Sequence, residues 1–597
     1  MEVDKTAFYP VLLDVLTDIS EALFVTFDLE LSGVCSKAPA GGGKGPGRPS
    51  LQERYTETKE AAERYEILQF GLTCVQQDVQ SGKYVLKPYN FYINPIIEEW
   101  GIEIERIFSY QSGAVEFLLK NNFDMARPFT HGVPYMSRPE TRLAKERFAK
   151  RNIRADIADI QIKPSDTEKL AFLAQTRAVI DTWINDRRPD ALDFVNVSEE
   201  VPDGVAPAEM SRFKKRLVHQ LVRAEYPALT TLSRRNFVQI IHFNQDREDR
   251  IALEKKQAFG VRLNRQKGFR WIIEALVGSD LSHLDLMECA RDPETGRPVF
   301  ADMDEYRARF ARAHARIRNK PKVLIGHNCF LDLVYVYKHF IGALPASVED
   351  FSKELHKLWP MLVDTKYMAT HNCGDINPSS SLEELSDALK GRATPVLELH
   401  VDHGKYEEGV ELLHEAGYDS YLTAQVATRL SSKLELEGAY IVTEALADTD
   451  DSGDGGVQIS SVRPSGTGHQ KGGAVATDLT AATEKLSIKN KDIDSDVHEQ
   501  VTGHPIAAEP FLDSRKDSSL PSTLGRGWNS NQDPSFSTAS LTGAQKSQDL
   551  DKLIKGGVPS FHGDFWRVYG NKLRVFGTDE GVCLLDHSAR KEVELRD

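Results

Sequence analysis

The sequence predicts an α/β fold, and three segments carry that prediction. Residues 22–27 form an apolar, β-rich run that is typical of a buried strand. Residues 322–340 combine a short apolar stretch, a Gly-His-Asn turn and then helical spacing. Between Leu422 and Leu434 large apolar residues recur every four positions, which indicates a helix with one buried face.

Further elements are predicted around these segments. A helix opens the chain, because six apolar residues share one helical face: Phe8, Val11, Leu12, Val15, Leu16 and Ile19. Strands at 67–75 and 84–94 flank a hairpin turn at 81–83. Residues 35–50 are rich in Gly, Pro and Lys and predict a mobile loop.

Composition narrows the class of protein. The six cysteines show neither paired nor zinc-binding spacing, so we expect reduced thiols and a location in the nucleus, the cytoplasm or both. No signal peptide and no run of about 18 apolar residues occurs, so no membrane partner is expected. The formal net charge of −15 alone gives no support for nucleic-acid binding.

The first strand carries two acids. Side chains alternate along a strand, so Asp28 and Glu30 lie on the same face. Two carboxylates this close repel each other, and a divalent cation between them would remove that repulsion. The alternative is an ordinary strand end with solvated acids.

Two further motifs place acids at the starts of helices. Asp332 falls in the first turn of the helix that follows the Gly-His-Asn turn, where it could simply complement the helix dipole. Gly417 predicts a tight turn, with Asp419 beginning a helix and His414 on the preceding loop. The alternative there is a helix-capping Asp with a surface His.

Together and in this order, the three motifs resemble the DEDD exonuclease superfamily, in the branch with a His-x-x-x-x-Asp third motif. Within it the chain resembles the poly(A)-specific ribonuclease family over most of residues 1–435. A Tyr four residues before Asp419 would mark the sister branch, and that position is Glu415. The resemblance extends to residues 53–55, 68–71, 89–92, 132–135, 363–366 and 413–423.

The resemblance implies a ribonuclease H-like exonuclease core, with a mixed central sheet flanked by helices, and a small inserted α/β domain. It implies two Mg²⁺ ions held by Asp28, Glu30, Asp332 and Asp419, with Asp28 bridging both. Two such ions about 3.5–4 Å apart supply a deprotonated water and a stabilised leaving oxygen. His414 would be the general base, because its ordinary pKa near 6.5 suits proton transfer near neutral pH.

A basic segment interrupts the core. Residues 210–271 contain 15 Lys/Arg against 5 Asp/Glu, with aromatic residues between them: Phe213, Tyr226, Phe237, Phe243, Phe259, Phe269 and Trp271. Basic and aromatic side chains hold phosphates and stack bases, so this segment is a candidate RNA surface. Candidate contacts there are Lys214, Lys215 and Arg216, and Lys366 is a further one in the core. The alternative is a solvated basic helix with core aromatics.

The family places an inserted single-strand-binding domain here, named for an Arg-x-x-x-His motif. Lys215 replaces the Arg of that motif, and His219 keeps the His. We therefore divide the chain into core parts at 1–164 and 251–436, the insertion at 165–250, a disordered linker at 446–548 and a β-rich element at 549–597. Residues 285–320 predict an additional helix.

The C-terminal element is too short for the family's cap-binding RNA-recognition domain, so cap binding is not predicted. Trp566 in it could stack a base, or it could pack the element against the core. A homodimer is possible by family resemblance alone.

Three functions are weighed. The leading one is a Mg²⁺-dependent 3′–5′ exoribonuclease that shortens poly(A) and releases 5′-AMP. The second is 3′ trimming of small or noncoding RNAs by the same chemistry. The third is a non-catalytic RNA-binding adapter, which retention of all five site residues disfavours. A DNA exonuclease is disfavoured because the wider resemblance is to ribonucleases.

Overall fold

The computed structural model describes residues 1–35, 49–152, 159–186, 188, 192–199, 209–374, 376–377, 379–407, 409–441, 553–575 and 581–586. The predicted linker at 446–548 and most of the predicted loop at 35–50 lie outside these residues.

The strands, in chain order, are β1 (Glu2–Val3), β2 (Phe24–Leu31), β3 (Ile67–Asp78), β4 (Lys83–Asn94), β5 (Val133–Pro134), β6 (Phe194–Ser198), β7 (Leu229–Ser233), β8 (Phe237–His242), β9 (Leu324–Gly326), β10 (Leu362–Asp364), β11 (Val396–Leu399), β12 (Lys572–Arg574) and β13 (Val582–Leu584).

The helices are α1 (Phe8–Glu21), α2 (Leu51–Ala62), α3 (Ser112–Lys120), α4 (Arg127–Thr130), α5 (Arg138–Asn152), α6 (Thr167–Ile184), α7 (Arg212–Glu225), α8 (Gln245–Lys267), α9 (Arg270–Leu276), α10 (Leu286–Cys289), α11 (Met303–Asn319), α12 (Phe330–Val336), α13 (Val348–Leu358), α14 (Thr365–Met368), α15 (Leu382–Lys390), α16 (Ala416–Leu436) and α17 (Phe565–Tyr569). A π-helical turn spans Tyr337–Ile341 and a 3₁₀ helix spans Val401–Tyr406.

A mixed sheet forms the centre, in the order β1-β4-β3-β2-β9-β10, with β5 and β11 also paired to β4. Strands β2, β3 and β4 are antiparallel, whereas β2, β9 and β10 run parallel. The predicted α/β class with a mixed central sheet flanked by helices is therefore confirmed.

The two faces of the sheet bury different helices because side chains alternate along each strand. Val25, Phe27 and Leu29 of β2 face a core that includes residues of α1, α9 and α12, whereas Phe24 faces a core that includes α15, α16 and α17. Asp28 and Glu30 share the parity of Phe24, so they point to the α16 face.

The inserted region has a sheet of its own, in the order β6-β8-β7, packed with α6 and α7. Its apolar cluster is separate from the clusters of the central sheet and includes Leu173, Ile180, Leu217, Val218 and Ile240. Partly buried Ile160 and Ile162 pack against this cluster, so its packing begins before residue 165. The domain boundaries at 165 and 250 stay predictions.

The C-terminal segment differs from the β-rich element predicted there. Residues 565–569 form α17, because Phe565, Trp566 and Tyr569 bury one helical face rather than alternating. Trp566 is 3% exposed, stacks on Phe561 and donates its indole N–H to Pro559 O. Of the two roles weighed for Trp566, packing against the core is the one that the structure supports.

A short β12–β13 hairpin follows α17 and meets the edge of the central sheet. Asn571 N donates to Leu362 O at 2.7 Å, and Arg574 N donates to the Asp364 carboxylate at 2.8 Å. The C-terminal hairpin therefore contacts β10, although more than a hundred residues of sequence separate the two.

The remaining helical predictions agree with the structure. The predicted helix in 285–320 is α11, which packs on α1 and pairs Arg309 with Asp14 and Arg316 with Glu21.

Within the described part of the chain, no helix is long and apolar enough to cross a membrane. All six cysteines lie in the described part of the chain, where they are buried and none forms a disulfide.

Candidate active site

Three of the predicted metal ligands come together at the carboxyl end of β2. One carboxylate oxygen each from Asp28, Glu30 and Asp419 lies within 4.8 Å of the others. Asp332 lies outside this group of three, in the first turn of α12. Its charge nevertheless raises the pKa values of Asp28 and Glu30, so it belongs to the same electrostatic site.

Burial and mutual repulsion govern this cluster. Burial, and then the neighbouring carboxylates, raise the pKa values of Asp28 and Glu30 well above their ordinary range. Burial raises the pKa of Asp332 to about 7 and that of Asp419 to about 7. Four acids can share this space in ionised form when a cation neutralises them. An all-carboxylate donor set is the one that hard divalent cations such as Mg²⁺ prefer, so the residues fit that group.

The close approach of α16 to the sheet brings Asp419 to β2. A Cβ at Gly71 of β3 would lie 1.8 Å from Ala416 O, so only glycine permits this contact. Gln69 Oε1 accepts from Ala416 N at 2.9 Å and Asn90 Oδ1 accepts from Gly417 N at 3.1 Å. Side chains of the sheet thus satisfy amides that the first turn of a helix leaves unpaired.

Gly417 has a different role from the one predicted. It lies inside the first turn of α16, which begins at Ala416, rather than in a tight turn before the helix. A Cβ there would lie 2.3 Å from the Tyr406 hydroxyl and 2.6 Å from Asn90 Cβ. The glycine is therefore required by close packing.

His414 sits on the loop before α16, as predicted, in a left-handed backbone conformation with φ of 65°. Its N–H donates to Asp419 Oδ2 at 3.2 Å, and its ring meets Phe117 edge-on at 4.8 Å between centroids. Burial lowers the pKa of the imidazole. A non-glycine residue adopts this backbone only when its surroundings hold it there.

The turn that carries Asp332 is held by Asp364, a residue that the sequence motifs contained but did not single out. Asp364 Oδ1 accepts from Asn328 N at 2.7 Å and from Lys366 N at 2.9 Å, and Oδ2 accepts from Arg574 N. Asp364 is fully buried, and burial raises its pKa to about 6 although these N–H groups oppose the rise.

Lys366 lies beside this turn, at the start of α14. It is 3% exposed, and its ammonium donates to Ser380 O at 2.7 Å. Burial, with the charge of Lys366, lowers the pKa of His327 to about 3. The structure thus gives Lys366 a structural partner, and its contact with substrate stays a prediction.

The predicted RNA contacts of the insertion lie on α7, apart from the acids. Lys214 is 3.5 Å from Glu199, and the Lys215 ammonium donates to Arg235 O. A groove of about 350 Å³ is lined by Asp159, Arg212, Lys215, Arg216, His219, Gln220, Arg223 and Ser233. His219 uses both ring nitrogens within the domain, toward Thr231 and Ser233.

Part of the aromatic pattern was misassigned. Phe259, Phe269 and Trp271 are buried in clusters of the core, outside the inserted domain, so they offer no stacking surface. Phe213 and Phe243 are 43% and 41% exposed. Sequence spacing alone did not separate the buried aromatic residues from the exposed ones. The amino-acid composition does not change along α8, where the chain returns from the inserted domain to the core.

Three comparisons bear on this site. A family model described as CAF1 family ribonuclease matches residues 3–427. The poly(A)-specific ribonuclease PARN of Homo sapiens is 26% identical over 441 residues, which cover 71% of this chain and 60% of that protein. The pre-piRNA 3′-exonuclease trimmer of Bombyx mori is 21% identical over 438 residues, covering 72% of this chain and 71% of that protein.

Among solved structures, Mg²⁺- and Mn²⁺-bound Pop2p of S. pombe matches with 12% identity and a TM-score of 0.32, covering 74% of this chain and 94% of that one. A TM-score this low adds nothing about the fold. The chain spans about three-fifths of the length of the first curated relatives, at 61% and 60%.

Proposed function

Because the chain belongs to the CAF1 family of ribonucleases, we propose that it is a 3′–5′ exoribonuclease that shortens poly(A) and releases 5′-AMP. The observation that carries this proposal is the group of buried Glu30 and half-buried Asp28 and Asp419, with Asp332 close by and His414 adjoining Asp419. The relatives named for poly(A) support the substrate.

Asp28, Glu30, Asp332 and Asp419 would hold two Mg²⁺ ions. Bound there, the ions would lower the pKa of an attacking water and stabilise the leaving oxygen. His414 takes the proton from that water with its imidazole. Its backbone N–H donates to Asp419 Oδ2, so the residue that carries the base is joined to one of the proposed metal ligands.

The inserted domain would hold the RNA upstream of the cleaved end. Arg212, Lys215, Arg216 and Arg223 around one groove offer positive charge to a phosphate backbone. Lys366 would contact the substrate only if its ammonium exchanges Ser380 O for a phosphate oxygen.

A second function keeps the chemistry and changes the RNA. The similarity to a pre-piRNA trimmer, of which this chain covers 71%, supports trimming of small or noncoding RNAs. A homodimer and a location in the nucleus or cytoplasm complete the proposal. Sedimentation of the full chain tests the first, and microscopy of the tagged full chain tests the second.

The deciding experiment is a degradation time course on 5′-labelled RNAs with 3′ oligo(A), oligo(U) or oligo(C) ends, and on DNA. Each substrate is followed with Mg²⁺ and with EDTA. Rapid removal of oligo(A) alone supports the deadenylase, and equal removal of all RNA ends supports the trimmer. RNA binding without degradation in any lane would leave only the adapter.

A further inference from the structure

Glu415, the residue directly after His414, accepts hydrogen bonds from two side chains of another element. The Lys405 ammonium donates to both carboxylate oxygens of Glu415, at 2.8 Å each. The Tyr406 hydroxyl donates to Glu415 Oε1 as well. Three hydrogen bonds therefore hold this one side chain, all of them to a carboxylate acceptor, and the two from Lys405 also join opposite charges.

Lys405 and Tyr406, which we call the Glu415 clamp, are themselves held in place by other contacts. They end the 3₁₀ helix Val401–Tyr406, in which His403 shares a 2.8 Å hydrogen bond with Pro88 O of β4. His403 also packs edge-on against Tyr89 at 4.7 Å. Lys405 makes a further ion pair with Glu2 at 3.0 Å. The clamp is thus anchored to the central sheet rather than to the loop that it holds.

The other side of His414 is fixed as well. Phe117 of α3 lies against the imidazole, and Asp419 accepts from the His414 amide. Glu415 O accepts from Asp419 N at 2.9 Å, so holding Glu415 also holds the first turn that presents Asp419. His414 is the junction between these two supports, and its φ of 65° is costly for a non-glycine residue without them.

We propose that Lys405 and Tyr406 are positioning residues for the reaction, acting through Glu415 to keep His414 in its left-handed backbone conformation. This inference rests on the proposed role of His414 as the base. Both residues donate to Glu415, so their loss should impair turnover rather than binding.

The first test is Lys405→Met in the full chain. We expect kcat on oligo(A) to fall about 10- to 100-fold, because small misplacement of a reacting group costs rate of that size. KM, the RNA dissociation constant and the Mg²⁺ concentration for half-maximal rate should stay within about twofold of wild type. Tyr406→Phe should give a smaller loss, and Lys405→Arg should restore most of kcat because it keeps the charge.

Lys83→Met is the matched control. Lys83 pairs with Glu398 at the same distance, 2.8 Å, at the same side of the sheet, where β11 meets β4. Its kcat should equal that of wild type. Equal losses of kcat in Lys83→Met and Lys405→Met would overturn the proposal, because breaking any Lys–Glu pair would then lower kcat to the same extent.

The decisive test is a double-mutant cycle with His414→Asn, chosen because Asn tolerates a left-handed backbone. If Lys405 acts through His414, the double variant should be no slower than His414→Asn alone. Losses that multiply would overturn the clamp and leave the proposed function standing. Full activity of His414→Asn would overturn the base itself. Should Lys405→Met unfold below the assay temperature, the same cycle is run with Tyr406→Phe.

Discussion

The acid cluster and the basic groove handle charge in opposite ways. Asp28, Glu30 and Asp419 lie together with Asp332 close by, burial raises the pKa values of all four, and the charges of Asp332 and Asp419 raise those of Asp28 and Glu30 further. On α7, by contrast, the side chains are more exposed and partners are close, as with Lys214 beside Glu199 and Arg223 beside Asp159.

The difference has a physical consequence. The acid cluster is electrostatically unsatisfied and gains strongly from a divalent cation, so it should respond to metal and to pH. The basic groove is partly neutralised already, and RNA must compete with carboxylates and with salt there. Its contribution should therefore be smaller and dependent on ionic strength.

The largest expected effect is at the acid cluster. Asp28→Asn should lower kcat by about 10³-fold or more, because one of the carboxylates that would hold the metal ions is lost. RNA binding should be largely retained, while the rise in Tm that Mg²⁺ causes in wild type should shrink. Asp350→Asn, at an exposed acid of α13, is the control. Wild-type activity in Asp28→Asn would refute the metal site.

The pH dependence of stability in EDTA separates the two regions further. A carboxyl with a higher pKa in the folded than in the unfolded protein binds more protons when folded, so stability falls as pH rises between the two values. For Asp332 and Asp419 that window runs from the ordinary value of 3.8 to about 7. Denaturation at pH 5 and pH 8 should show a loss of about 5 kcal/mol, because each of these two carboxyls contributes about 2.6 kcal/mol over that range.

Mg²⁺ should restore most of that loss at pH 8 and have little effect at pH 5, where protons occupy the acids. The Asp28→Asn variant should show a weaker dependence on pH. A wild-type stability that is flat between pH 5 and 8 in EDTA would mean that the acids do not repel one another as the structure indicates.

A third test concerns the support behind Asp332. Asp364→Asn replaces an acceptor by an amide donor that faces an N–H, so it should lower stability by about 1–3 kcal/mol. Because Asp364 joins the Asn328 turn to Arg574, the variant should also expose residues 553–575 to protease earlier than wild type. Unchanged stability and protease resistance would show that this junction is not important.

The smallest effect is expected on the basic side. Replacing Lys214, Lys215 and Arg216 with Gln should weaken RNA binding about tenfold and reduce the slope against log salt by about 2. The rate on saturating RNA should not change. Neutralising Lys255 and Lys256, which are exposed on neighbouring α8, is the control. An unchanged slope of RNA affinity against log salt would show that the α7 surface is a solvated helix face.

Much of the site could be predicted from the sequence motifs. The alternation of β2 placed Asp28 and Glu30 on one face, and the predicted helix starts placed Asp332 and Asp419. Gln69, Asn90 and Asp364 lay within the motifs at 68–71, 89–92 and 363–366, yet their hydrogen bonds to turns far along the chain could not be predicted.

The sequence by itself determined the fold class, the order of the motifs and the chemical type of the site, because periodicity and residue type are local properties. Only the tertiary structure decided that α17 is a helix packed beside β10, that three predicted stacking aromatics are core residues, and that Lys405 reaches Glu415. Those outcomes depend on which distant elements share a face or an edge of the sheet, and no local pattern encodes that neighbourhood.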